Sequence, residues 1–185
     1  ILPRLGGTPA VWTTCMVFFQ AVLLTGYGYA HATTAWFGVR RQMLFHLGVL
    51  ALPLACLPFS VPPGWVAPPA ANPTPALLLL LLAAVGLPFF AVSASAPVLQ
   101  TWFTQTRHEA AHDPYFLYAA SNLGSLCALL AYPTCVEPLL RLTEQRGVWA
   151  IGYGLLVILM VGCAATIGAG LALSDVPFDH LIAAV

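Results

Sequence analysis

Lysine is absent from this sequence, and charge of either sign is scarce. Six arginines and six acids, 6% of 185 residues, cancel to a net charge of zero. An average soluble domain carries about 25% charged residues. So little charge leaves no electrostatic footprint for nucleic acid and excludes that class of partner. It also excludes the surface of an ordinary water-soluble domain. Close-spaced cysteines are lacking too: Cys15, Cys56, Cys127, Cys135 and Cys163 are odd in number, scattered and nearly all within apolar runs. That arrangement offers neither a disulfide framework nor a Cys-based metal motif, and it leaves the cysteines as small apolar residues. There is no leading Met and no basic segment ahead of a cleavage site. A further segment upstream of Ile1 is therefore expected.

What the sequence has is apolar length, with 60% of residues hydrophobic. Crossing the hydrocarbon core takes about 20 mainly apolar residues. Five stretches qualify, 10–31, 43–60, 76–104, 114–136 and 148–173, and every formally charged residue lies outside them or at their ends. The expectation is an all-α, polytopic bundle of about five spans, forming a single transmembrane domain with no soluble catalytic domain. The third stretch is long and contains Pro88 and Pro97, so a kinked or tilted helix is expected. Asp113 and Pro114 make a cap and first-turn pair for the fourth. The proline-rich run "SVPPGWVAPPAANPTP" reads as an external loop. Trp12, Trp36, Trp65, Trp102 and Trp149 near stretch ends fit an interfacial aromatic belt. Arginine counts do not orient the chain, because Arg4, Arg141 and Arg146 on one side balance Arg40, Arg41 and Arg107 on the other.

Uncharged polar residues inside the stretches show which helix faces meet protein. At 100° per residue, Thr13, Gln20, Tyr27 and His31 align on the first span, and Tyr118, Ser121, Asn122, Ser125 and Tyr132 share an arc of the fourth. Two readings stand: a cavity crossed by a polar solute, or interhelical hydrogen bonds assisted by Ala120, Gly124 and Ala128 at four-residue spacing. The second is favoured, because no acid or base lies deep in any span.

His31 and His46 flank the connection between the first two spans and are the candidate ligands for a haem, a metal or a chlorophyll-type pigment, against the plainer reading of polar groups at the interface. No cofactor is otherwise expected. "RHEAAHD", 107–113, places His108 and His112 four apart around Glu109, but a short loop between spans is a poor setting for a catalytic metal helix, and no metal site is expected. "RLGGTPA", "GYGYAH" and "GAGLAL" lack the strand that a nucleotide-binding turn follows. No catalytic grouping stands out.

The runs "LPRLGGTPAVWTTCMVFFQ", "GYGYAH" and "DPYFLYAASNLGSLCALLAYP", followed by "VEP", resemble the membrane portion of bacterial fused major-facilitator/spermidine-synthase-like proteins. The resemblance extends from Leu2 to about Pro138. It implies a six-helix major-facilitator half lacking its first helix, in a bacterial inner membrane. Gly26 or Gly28, Gly38, Arg40 and Arg41 resemble the frame of the signature loop of major-facilitator transporters, although no acid is present and the spacing is stretched. On that frame Arg40, Arg41 and Arg107 would be cytoplasmic. The family's soluble half supplies no residue here. The resemblance implies transport of a small solute, or anchoring of a synthase-like domain outside this stretch of chain. The rival reading is an accessory subunit packed into a larger membrane complex of electron transfer or photosynthesis. Lipids and a membrane-protein partner, or a missing soluble domain, are the partners expected.

Overall fold

The structure, a computed structural model, describes residues 8–57 and 74–174. These residues are helical almost throughout, with no strand among them. The elements are α1 (Pro9–Ala51), a 3-10 segment (Leu52–Cys56), α2 (Thr74–Leu81), a π turn (Leu82–Gly86), α3 (Leu87–Thr104), a 3-10 turn (Glu109–His112), α4 (Tyr115–Ala131), a second π turn (Tyr132–Val136), the short α5 (Glu137–Leu139) and α6 (Leu142–Ser174). Four helices are long and apolar enough to cross a membrane: Pro9–Ala55, Thr74–Thr104, Tyr115–Leu139 and Leu142–Leu171. The chain is a multi-pass membrane protein by that measure.

The first of these helices is not one rod. Gly38 has φ 69° and ψ 167°, outside helical space, in a region essentially reserved for glycine. Here the chain doubles back. Tyr29 Oη lies 3.3 Å from His46 Nδ1, whereas residues seventeen apart in a straight helix are separated by about 25 Å. The connection expected between residues 31 and 43 is thus almost entirely helical. A first arm, 9–37, meets a second, 39–51, at a single glycine.

Side-chain contacts give the directions of the passes. Val11 and Phe18 pack with Leu77 and Leu81, and Phe19 meets Phe89 edge to face, so the first arm runs parallel to α2 and α3. A Cβ on Gly26 would lie 2.6 Å from Ser93 Oγ and 3.2 Å from the Ala94 nitrogen. The missing side chain lets the backbones of the first arm and α3 approach. At its two ends the second arm meets α6 in the opposite sense, with Arg40 Nη2 donating to the Leu171 carbonyl at 2.8 Å and Tyr153 Oη donating to the Leu50 carbonyl at 2.9 Å. Arg40 therefore sits against the last turn of α6, where exposed carbonyls favour a cation. Ala30, Met43, Leu50, Ala91, Val98, Trp102, Tyr153, Met160 and Ala164 fill the space between these passes.

The departure expected of the third span takes the form of the π turn just ahead of Pro88. Proline has no N–H and its ring crowds the carbonyl one turn back, which a wider turn relieves. Pro97 sits inside regular helix. A second π turn contains Pro133. Asp113 stands one residue further out than expected: Pro114 is itself the N-cap of α4, with no side-chain cap bond, and Asp113 Oδ1 accepts from the Tyr115 N–H at 3.4 Å. Trp12, Trp36 and Trp149 are exposed, as an interfacial belt requires, but Trp102 is wholly buried. Its indole N–H has a partner in the bundle, which removes its reason to seek the interface. Trp65 lies outside the described residues.

Candidate functional site

Two polar features stand out, one inside the bundle and one on its outside. The inner one centres on Gln42 and His46, both fully buried. Folding back at Gly38 brings the first turns of the second arm against residues 29–34, and α3 closes the third side. Thr33 Oγ1 donates to the Tyr29 carbonyl at 2.7 Å, and Thr34 Oγ1 to the Ala30 carbonyl at 2.7 Å. With their protons so used, the hydroxyls have only lone pairs left for the Gln42 amide. The two N–H hydrogens of Gln42 Nε2 are shared among three acceptors, Thr33 Oγ1 at 2.9 Å, Thr34 Oγ1 at 2.6 Å and the Ala30 carbonyl at 2.9 Å. Its Oε1 accepts from Trp102 Nε1 at 3.2 Å. Every amide atom has a partner, and the surroundings fix which end is which.

His46 is held in the same way. Ser95 Oγ donates to the Ala91 carbonyl at 2.7 Å, so it accepts from His46 Nε2, 3.3 Å away. That assigns the ring proton to Nε2 and leaves Nδ1 to accept from Tyr29 Oη. Trp102 packs edge-on at 6.1 Å between ring centroids. Among the described residues no buried side-chain polar atom lacks a partner. The cluster is closed, with two arms and α3 bonded to one another. A haem or pigment ligated by His46 would have to displace Tyr29 or Ser95. His31, the other candidate ligand, is exposed on the outer side of the first arm, so the two histidines do not converge on one site. His108 and His112 lie on a 3-10 turn rather than an α-helix, and His108 Nδ1 caps it by accepting from the Ala110 N–H at 3.1 Å. No group of three or more His, Cys, Asp or Glu suited to a metal occurs among the described residues.

The outer feature is formed by the two polar stripes. Thr13, Gln20 and Tyr27 are exposed, on the side of the first arm away from its buried Val11, Phe18 and Gly26. Tyr118, Ser121, Asn122, Ser125 and Tyr132 are exposed as well. Not one residue of α4 or of the π turn after it is buried. Tyr118 borders a cavity of about 510 Å³ with Gln100, His112 and Asp113 at the end of the bundle.

Sequence reading missed Gln42, which sits just outside an apolar stretch, and it placed His46 at the interface. Only Gly38 signals the sharp return that buries both. No family model, curated protein or solved structure matches this chain.

Proposed function

We propose that this chain is a multi-pass helical module whose function is assembly with further transmembrane helices, α4 being the principal contact. The observation that carries this reading is that no residue of α4 is buried among the described residues, together with its exposed line of Tyr118, Ser121, Asn122 and Ser125. Apolar side chains facing lipid need no partner, but an amide in hydrocarbon does; Ser125 Oγ already donates to the Ser121 carbonyl at 3.0 Å, so the demand rests chiefly on Asn122. Ala120, Gly124 and Ala128 beside the stripe allow close backbone approach, and a Cβ on Gly124 would meet nothing within 4 Å among the described residues. The inner polar cluster does not compete for the role, since its groups are spent on one another.

The accessory-subunit reading follows directly. Transport of a small solute, or anchoring of a synthase-like domain, is the second reading. It rests on the residue runs that resemble the fused major-facilitator/spermidine-synthase-like proteins, as does the bacterial inner membrane. In such a protein the outer faces of this module would meet helices from the rest of the same chain.

Asn122→Leu tests the proposal. The variant should leave the thermal stability of the isolated bundle within about 0.5 kcal/mol of the parent, as for a surface substitution, and should weaken retention of the partner helices during purification from the native membrane. A destabilised bundle with unchanged partners would overturn it.

A further inference from the structure

A second cavity, of about 540 Å³, opens where the end of α3 and the turn 105–108 face the start of α4 and the last turns of α6. Its volume falls in the range of pockets that enclose small ligands, about 300–1,000 Å³. The walls are mainly apolar, Phe103, Leu117 and Ile167 among them, with Gly170 leaving one side open. Arg107 and His108 stand at its edge, and no acid lines it among the described residues. Arg107 is exposed and makes no hydrogen bond or ion pair among the described residues. His108 Nδ1 is occupied by the Ala110 N–H, so the neutral ring carries its proton on Nε2 as a free donor. Asp113, the acid that opens α4, is turned to the Tyr115 N–H. An apolar slot along two helices, with a cation and a donor where those helices end, matches one kind of ligand: an amphiphile with an anionic head.

We propose that this cavity binds an anionic phospholipid, its phosphate at Arg107 and His108 and an acyl chain between α3, α4 and α6. The site depends on the chain's place in a membrane and not on what covers the stripe of α4. A bidentate guanidinium contact to phosphate oxygens, with the His108 Nε2–H as a further donor, supplies the head-group recognition. Basic pockets between transmembrane helices hold lipid head groups by the same chemistry.

The test is native mass spectrometry of the detergent-purified protein after incubation with phosphatidylglycerol or with phosphatidylcholine. The parent should retain one phosphatidylglycerol in preference to phosphatidylcholine. Arg107→Gln should lower that retention about tenfold, the order expected for loss of a charge-assisted hydrogen bond. Gly170→Phe, which fills the slot without touching the charge, should lower retention of both lipids. Arg141→Gln, at the opposite end of the bundle, should change neither. Equal retention of the two lipids, or equal losses from Arg107→Gln and Arg141→Gln, would overturn the proposal in favour of unspecific surface charge. A slot filled by residues 175–185, which follow α6, would also overturn it; Gly170→Phe would then leave lipid retention unchanged.

Discussion

Gln42 stands next to two arginines and one residue ahead of an apolar stretch, and nothing in its immediate neighbours marks it as buried. Its environment is set by Thr33 and Thr34 across the hairpin and by Trp102 sixty residues on. Replacement by Leu keeps the volume but strands the Trp102 indole N–H in the bundle. An unsatisfied buried polar group costs about 1–3 kcal/mol, so Gln42→Leu should destabilise the protein by that amount in reversible denaturation in detergent. Serine and threonine hydroxyls along these helices mostly bond to the carbonyl one turn back, as Thr14 and Thr25 do, which explains why they can be exposed to lipid at little cost. Asn122 and Gln20 have no such local outlet for an amide. His46 was conspicuous in the sequence as a histidine, but its role depends on Tyr29 and Ser95, which no local pattern joins to it.

At the scale of elements, two glycines of similar setting do different work. Gly26 and Gly28 both belong to "GYGYAH", yet only Gly26 faces α3, with room for a Cβ on Gly28 and none on Gly26. Gly26→Val should force the first arm from α3 at a cost of about 1–3 kcal/mol, the usual range for overpacking, while Gly28→Val should change stability by no more than about 0.5 kcal/mol; thermal unfolding of the pair in one detergent decides it. Gly38 acts through its backbone. At φ 69° and ψ 167° a side chain is strained, and Gly38→Ala should cost about 1–3 kcal/mol although its Cβ would meet no other atom within 4 Å. Helix content measured by circular dichroism should be preserved while the melting temperature falls. The apolar stretches located the helices, but the turn between the first two was legible only as a glycine near two arginines. The chain is helical on both sides of Gly38, so the reversal is made by one residue rather than by a loop.

The whole molecule was legible in its solvent before its architecture. Sparse charge and apolar length placed the chain in a membrane, and the structure agrees in having four helices able to cross one. The inside of the bundle was much less legible, because hydrophobic patterning identifies a buried face only when water is the alternative. In lipid an outward face is as apolar as an inward one, and the buried residues of the first arm are marked by size and fit rather than by hydrophobicity. Its polar stripe runs along the opposite side. The same logic gives α4 its meaning: it belongs to a segment apolar enough to cross a membrane, touches α3 only near its start, where Phe116 meets Phe103 edge to face, has no buried residue, and is polar along one line.

The most direct measurement is photocrosslinking in the native membrane with a benzophenone side chain at position 125, on the polar line of α4, and separately at position 127, on the opposite face. The assembly account predicts protein adducts from position 125 and lipid adducts alone from position 127. Lipid adducts alone from both positions would show that no helix covers this face and would contradict it.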